Sequence, residues 1–328
     1  MPTLKISVIG LSYNRKDLLP LFIESIYDSS FDKQEVEIII VDNASSDGSI
    51  EMLKSKYPAV KVIARTSNIG SGAHNDALVI AQGEYLFFSD IDLTFEKGCL
   101  EQFYNTANSM GKDIILTPRL YEYNRPNQLA PSYSILSRSF YTVFIRPKDL
   151  DSNLNEVFMN GLVFMRRDTA KKLRYIFDND YFLYSEDFDL CLRIRLQGFK
   201  LYNCPKAIMY CRPLSETTTP YLKKKGLVYY MERNYLLTFF KICSLKTLIL
   251  YAPYVFTMRI IALVKDIITF QPGLFVVRLK AYLWVIPNIL LILKKRTETQ
   301  KERVKSDKEI FAIADEKYFW KSKLGWLK

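Results

Sequence analysis

The chain has 328 residues, 49% of them hydrophobic and 25% charged, with 12 glycines and 13 prolines. This is ordinary globular composition, long enough for one large α/β domain with an appendage, and it excludes disordered, collagen-like and linker-dominated architectures. The net charge of +11 is uneven: residues 241–328 hold 17 Lys and Arg against 7 Asp and Glu, while residues 1–240 are close to neutral. A neutral body followed by a basic, apolar tail sets a boundary near residue 240.

The five cysteines (Cys99, Cys191, Cys204, Cys211, Cys243) are odd in number, widely spaced and without a CxxC pair. They argue against a disulfide framework or structural zinc site and for a reducing compartment. A single histidine, His74, excludes a His-rich metal site and weighs against a Ser-His-Asp triad.

Residues 1–10 read as an opening strand rather than a signal peptide. Residues 6–11 are apolar and β-branched, and 12–17 are turn-like. Residues 18–27 carry helical apolar spacing, and 36–41 form a nearly continuous apolar run expected to be a buried parallel strand. Residues 49–57 suggest a short helix, 60–64 a third strand, 72–82 a helix and 84–89 a fourth strand. That alternation points to a doubly wound sheet, in which ligands sit beyond the carboxyl ends of the strands. Further on, 99–110 reads as a helix and 113–117 as a strand. Residues 124–139 read as a long loop, 157–166 and 199–210 as strands, and 187–197 as the helix between them. Residues 215–221 are linker-like.

In the tail, 245–264 is apolar but interrupted by Lys246, Pro253 and Arg259. Residues 281–293 are apolar but contain Pro287 and Asn288 and run into Lys294-Lys295-Arg296. Neither reads as a clean bilayer span. Apolar residues beside basic clusters suit helices lying on a membrane surface, or a packed or oligomer-forming subdomain. Residues 297–328 are charged, with Trp320 and Trp326 as interface anchors.

Four clusters can carry chemistry. Asp90-Ile91-Asp92 ends an apolar strand. Two carboxylates so placed can meet one hard cation that takes its other oxygens from phosphate and water, or they can simply form a turn. Glu186-Asp187-Phe188-Asp189 opens a helix, where acids favour the dipole. The aromatic residues before it put these acids at a cleft wall, where a carboxylate can serve as general base on a hydroxyl. Arg193 can pair with one of them or reach a phosphate. The stretch from Asp42 to Gly48 suits either an Asx-turn or recognition of a base or ribose. Residues 68–75 contain Gly70-x-Gly72, but Asn75 stands at the third glycine position and no glycine turn follows the first strand, which weighs against NAD. His74 reads as a helix-start hydrogen-bonding residue, the cysteines as small buried apolar residues, and 223–225 as a solvated loop or a cover for phosphates.

Taken in order, these residues resemble glycosyltransferase family 2, the inverting nucleotide-sugar transferases of the GT-A fold. The matching stretches begin with Ser7-Val8-Ile9 through Tyr13-Asn14-Arg15, Ile40-Val41-Asp42-Asn43 through Asp47-Gly48, and Asn68-x-Gly70. They continue with Gly83-Glu84-Tyr85 through Asp90-Ile91-Asp92, Asn160-Gly161, Tyr184-x-Glu186-Asp187-x-Asp189-Leu190, Arg193, Gly198-Phe199 and Pro205. Arg233-Asn234 is similar to a pair in the rhamnosyltransferase-like branch.

Over residues 1–240 the resemblance implies an α/β GT-A domain, a doubly wound mixed sheet flanked by helices, with 241–328 as a helical extension. It implies that Asp42 contacts the base or ribose, with Tyr13, Asn14 and Arg15 lining that pocket and Asn68 and Gly70 shaping it. Asp90 and Asp92 would hold Mg²⁺ or Mn²⁺, Asp92 more directly. Asp187 would be the catalytic base with Glu186 beside it, and Arg233 would bind the diphosphate. The implied partners are a UDP- or dTDP-sugar donor and a glycan or polyprenyl-linked acceptor at the cytoplasmic face of a membrane.

Two departures stand out. The histidine that many members carry after the last strand is absent from Tyr210-Cys211-Arg212-Pro213, which leaves metal choice open, and no QxxRW motif of the processive synthases is present. Nucleic-acid binding fits poorly, because the basic charge lies beside apolar helices. A non-catalytic nucleotide-sugar-binding or scaffold subunit is the alternative reading.

Overall fold

The computed structural model describes residues 4–130, 133–137, 139–145, 156–157, 160–212 and 224–312. The loop expected at 215–221, Pro213, Lys223 and the anchors Trp320 and Trp326 lie outside these residues.

Among the described residues, nine strands form one mixed sheet in the order β3-β2-β1-β4-β10-β6-β11-β5, with β7 added to β6. Strands β1 (Ile6–Ser12), β2 (Val36–Asp42), β3 (Lys61–Ala64) and β4 (Tyr85–Asp90) are mutually parallel. Their continuous apolar runs follow from burial on both faces: Ile39 and Val41 pack into one core, Ile38 and Ile40 into the other. Helix α1 (Leu19–Tyr27) buries Leu19, Phe22, Ile23 and Ile26, one helical stripe. Helices α2 (Ser49–Lys56) and α3 (Cys99–Met110) complete this half, the latter ending at Gly111, whose φ of 101° breaks the helix. Strand β10 (Val163–Arg166) runs antiparallel to β4 and to β6 (Ile114–Glu122), and β11 (Lys200–Cys211) pairs with β6 in parallel and β5 (Leu93–Phe95) in antiparallel. The doubly wound mixed sheet expected from the sequence is therefore present.

Four local expectations are corrected. Residues 72–82 are not an α-helix; Gly70–Val79 is a 3₁₀ segment. Two glycines weaken the α propensity there, and Ser71, His74 and Asn75 bond to distant groups. Residues 124–139 are not a loop but contain β7 (Arg125–Leu129) and β8 (Tyr133–Leu136), which pairs with β9 (Thr142–Ile145). β7 is an exposed edge strand held by its backbone, so its polar side chains gave no alternation to read. Within 157–166 only β10 is strand, preceded by the turn at Asn160-Gly161. The strand expected at 113–117 continues through Pro118, tolerated because β11 shifts register between Cys204 and Ile208 beside it.

Helix α4 (Arg167–Lys172) and helix α5 (Glu186–Leu196) precede α6 (Lys224–Ile242), which packs on α5. The composition shift near 240 falls at the junction with α7 (Leu245–Ile268), where the Ser244 hydroxyl accepts from Thr247 N and caps the new helix. Helices α8 (Pro272–Leu283), α9 (Ile289–Lys301) and α10 (Asp307–Ile310) follow. Pro253 does not interrupt α7. The apolar run 281–293 is split between α8 and α9 by a turn at 284–288. Val255 and Ile310 share a core with Phe188 and Phe239, so body and extension are packed together.

Candidate active site

β1 leads to β2 on one side while β4 lies on its other side, so the strand order reverses between the parallel strands β1 and β4, the place where such sheets bind ligands. The register brings Ser12 opposite Asp42, and Leu11 opposite Asp90. Two polar groups stand beyond these strand ends.

The first is a cleft of 540 Å³. Asp90 and Asp92 form its floor, Ser71 and His74 one wall, Asn160 and Gly161 another, with Glu186 and Asp187 entering from the start of α5 and Cys211 and Arg212 from the end of β11. A groove of 620 Å³ beside Lys61 and Lys171, and an apolar cavity of 440 Å³ between Phe140 and Phe311, gather no such set of acids. Asp90 is open to the cleft but enclosed by its walls. That enclosure, followed by the charge of Asp187, raises its carboxyl to about 6. Burial also raises Asp187, whose Oδ1 accepts from Phe188 N at 2.7 Å. Burial and then Asp187 push Glu186 up to about 8; its Oε1 lies 2.6 Å from Ser71 Oγ and its Oε2 is a buried oxygen without a partner. Asp90, Glu186 and Asp187 share one concavity with Asp92, so they do not all ionise freely.

Glycine explains the close packing. A Cβ at Gly161 would lie 3.1 Å from Asp187 Cβ, and one at Gly70 (φ 73°) only 1.6 Å from the Phe182 carbonyl oxygen. The Gly70-x-Gly72 spacing thus lets residues 178–185 approach, and is no dinucleotide cradle. His74 is buried, with Nδ1 3.0 Å from Ser71 O and Nε2 3.3 Å from Ser89 O; burial holds its pKa below the ordinary value, so a neutral ring ties the 3₁₀ segment to the end of β4. Asn160 Oδ1 accepts from Leu162 N, whereas its buried Nδ2 has no partner. Cys211 is half-buried, unlike the other four cysteines, and burial with Asp92 and Glu122 nearby pushes its thiol up to about 11.

The second group lies over the ends of β1 and β2. Asn14, with φ 51°, donates its N–H to Ser45 Oγ at 2.8 Å and accepts from Ser46 N at 2.8 Å. Asp42 is fully buried; its Oδ1 accepts from Ser45 N at 2.8 Å, while its Oδ2 and the hydroxyl of Ser12 are buried atoms without partners. Asn43 Nδ2 donates to Asn68 Oδ1 at 2.9 Å and to the Gly70 carbonyl at 3.1 Å. Tyr13 is exposed, and Arg15 is half-buried next to it. Ser71 joins this group to the cleft through Glu186.

Of the residues expected at the site, Asp90, Asp92, Glu186 and Asp187 come together in the cleft. Tyr13, Asn14, Arg15, Asp42, Asn68 and Gly70 gather at the adjoining strand ends. Arg233 does not line the cleft, and the expectation that it reaches a diphosphate does not fit its placement. On α6 it donates from Nη2 to the carbonyls of Asp180 (2.6 Å) and Tyr181 (2.8 Å), between the rings of Tyr230 and Trp284, and burial lowers its pKa. Of the two readings of Arg193, pairing with an acid is the one found: it bonds Asp189 at 2.8 Å, both buried. The basic side chains that do line the cleft, Arg125 and Arg212, were not singled out from sequence. Arg125 sits in a segment that read as loop, and Arg212 drew notice only as part of a departure.

Arg233 and Asn234 clamp the segment ahead of Glu186. Asn234 Nδ2 faces the carbonyls of Tyr181, Leu183 and Tyr184 at 3.0, 3.0 and 2.6 Å. Phe182, Tyr184 and Ser185 all have φ near +60°, a conformation that needs such support. Asn234→Ala is expected to lower the rate of the reaction proposed below by about 10²-fold through misplacement of Asp187. Nucleotide affinity should stay unchanged; a loss of affinity as large as the loss of rate would show global damage instead.

A doubly wound sheet with polar side chains and an acidic cleft at its switch point defines an α/β protein whose candidate ligand site lies where such sheets carry one. The sequence pattern of Glycosyl transferase family 2 matches residues 7–174, just over half the chain, and the chain belongs to that family. Among its relatives is the poly(ribitol-phosphate) beta-glucosyltransferase of Bacillus spizizenii, 40% identical over 118 residues, which cover 34% of this chain and 19% of the relative. The chain thus spans about a fifth of that relative's length. Similar solved structures are S. aureus TarS 1–349 in complex with UDP (TM-score 0.53, 19% identity, 72% of this chain and 65% of that one) and GalNAc-T7 with UDP, GalNAc and Mn²⁺ (TM-score 0.58, 14% identity, 72% and 48%). At these identities they establish the shared fold, which is the GT-A arrangement.

Proposed function

We propose that this chain transfers a sugar, with inversion, from a nucleoside diphosphate to a hydroxyl of a glycan or lipid-linked acceptor. The observation that carries this reading is the cleft at the switch point, lined by Asp90, Asp92 and Asp187, with the buried, unpartnered Asp42 Oδ2 at the adjoining strand ends. The base or ribose of the nucleotide lies over the ends of β1 and β2 with Asp42 beneath it, Tyr13, Asn14 and Arg15 around it, and Asn68 and Gly70 shaping the loop. Arg125 and Arg212 at the cleft are suited to meet the diphosphate.

Asp90 and Asp92 fit Mg²⁺ or Mn²⁺: their donors are hard oxygens, and the raised carboxyl of Asp90 marks a cleft short of positive charge. Among the described residues no group of three His, Cys, Asp or Glu could hold a metal ion unaided, so a cation held by Asp90 and Asp92 would take its other oxygens from diphosphate and water. The cation supplies charge stabilisation for the departing nucleoside diphosphate. Asp187 accepts the proton of the acceptor hydroxyl as that oxygen bonds to the anomeric carbon. The bond to the diphosphate oxygen breaks on the opposite face, and the departing anion needs no proton.

A UDP- or dTDP-sugar is the donor favoured here, since UDP is bound in both solved neighbours and Mn²⁺ in one. The poly(ribitol-phosphate) acceptor named for one relative supports a cell-envelope glycan as acceptor. A lipid-carried acceptor would place the protein on the cytoplasmic face of a membrane, as a monomer or a homo-oligomer, and nothing in this chemistry calls for nucleic acid.

Calorimetric titration of UDP with and without Mn²⁺ tests the reading. Asp42→Asn keeps the Ser45 contact but turns a donor toward the nucleotide, and is expected to weaken UDP about 10- to 100-fold, the worth of a hydrogen bond to a charged group. Asp92→Asn should abolish the Mn²⁺ dependence. Metal-independent binding, or no binding to the unaltered protein, would sink the donor assignment.

A further inference from the structure

Helix α7 is built the opposite way round from a helix facing water. Its buried positions are Val255, Arg259 and Asp266. Ile249, Ile260, Ile261, Ile267 and Ile268 are 47–69% exposed, and Phe270, in the left-handed turn after the helix, is 91% exposed. Water-facing helices of soluble proteins show the reverse pattern. The polar side is anchored to the body. Arg259 Nη1 donates to the Ser139 carbonyl at 2.6 Å, and its guanidinium lies 4.4 Å from the Tyr141 ring. Asp266 accepts from Arg278 Nε at 2.8 Å; Arg278 also pairs with Glu232 of α6, which accepts from Tyr141 OH at 2.6 Å.

Charge favours one occupant for the outer side. From residue 245 to 297 the sole acid is Asp266, which is buried, whereas Lys246, Lys280 and Lys294 are exposed. Apolar side chains among uncompensated lysines complement the acyl boundary and anionic head groups of a bilayer. By length and hydropathy α7 could also cross a membrane. A crossing would require Arg259 and Asp266 to leave Ser139 and Arg278, putting a charge of each sign into hydrocarbon. We infer that α7 lies in the plane of an anionic membrane surface, its isoleucine stripe and Phe270 in the acyl boundary and its polar side remaining on the catalytic body. The inference deepens the reading of a lipid-carried acceptor, but its observations concern α7 and its contacts alone.

Flotation of the full chain with sealed vesicles tests it. The protein is expected to rise with vesicles containing phosphatidylglycerol and much less with pure phosphatidylcholine. Ile260→Glu with Ile267→Glu, both at exposed positions, should reduce binding at least about tenfold, and charge reversal of Lys246, Lys280 and Lys294 by a similar factor. UDP titration of the same variants reports whether the body is intact. Lys246→Cys and Thr269→Cys, at the two ends of α7, should both react with an impermeant maleimide added outside the vesicles. Protection of one end would replace the in-plane arrangement with a span. Failure to float, or a lipid-free dimer that the isoleucine variants dissociate, would overturn the proposal and leave the face to a second copy. Flotation without UDP binding would instead count against the transferase reading and leave this proposal standing.

Discussion

Asp187→Asn is expected to lower the transfer rate by about 10²- to 10⁴-fold, the usual contribution of a positioned base, while leaving UDP affinity unchanged. The choice of Asp187 over its neighbour follows from where the protons sit. Burial and then Asp187 push the Glu186 carboxyl up to about 8, which favours its protonated form near neutrality and makes it the poorer proton acceptor. Asp187 is also raised by burial, but two backbone N–H groups, of Phe188 and of Asp187 itself, pull it back. The asparagine keeps the shape and the Oδ1 acceptor for Phe188 N, so a large fall in turnover would report the lost proton acceptor and not a displaced helix. Single-turnover rates with saturating donor, alongside UDP titration, separate the two. If Glu186→Gln proves more damaging to the rate than Asp187→Asn, the roles are reversed. If neither matters while UDP still binds, the chain is a binding or scaffold subunit.

The four parallel strands and the placement of the acids were legible because strands buried on both faces write themselves as unbroken apolar runs, and the polar residues that follow mark the carboxyl ends. Ile38 to Val41 followed by Asp42, and Leu86 to Ser89 followed by Asp90, carry both signals at once. What was not legible depends on contacts between distant segments. Gly70 and Gly72 fit no complete dinucleotide motif, and their reason is the backbone at Asn179 and Phe182, more than a hundred residues away in sequence. β7 joins the sheet by its backbone and by the pairing of Arg125 with Glu122 of β6, so Arg125 could not be placed at the cleft beforehand. Arg233 and Arg193 illustrate the same limit. A sequence shows that a cation is present, but only the fold shows that carbonyls and Asp189 already occupy it. In α7, likewise, Arg259 was visible as a flaw in a span; that it points inward, together with Asp266, is a fact of packing.

Lys241→Met is expected to destabilise the protein by about 3 kcal/mol, toward the low end of the cost of breaking a buried ion pair. Lys241 is fully buried on α6, with Nζ 2.8 Å from Asp178 Oδ2 and 2.6 Å from Asp189 Oδ1. The low end applies because neither acid is left alone: Lys295 stays 2.6 Å from Asp178 Oδ1, and Arg193 stays 2.8 Å from Asp189 Oδ2. Thermal unfolding should show the loss as a fall of several degrees, at roughly 2–4 °C per kcal/mol for a domain of this order of size.

The pH dependence gives an independent check. Burial alone would raise the Asp178 carboxyl, but Lys241 and Lys295 outweigh it and hold it well below the ordinary carboxylate range. A depressed folded pKa stabilises the protein above the unfolded value of about 3.9 and is lost as pH falls through the folded one. The variant should therefore lose most stability relative to the unaltered protein near neutrality, with the gap narrowing on the acid side. Because Lys241 does not line the cleft and pairs with Asp178 and Asp189 rather than with Asp187, single-turnover rates at a temperature where both proteins are folded should differ little. A large rate defect at full folding would mean that this buried network also sets the position of the base, through the same segment that Asn234 holds.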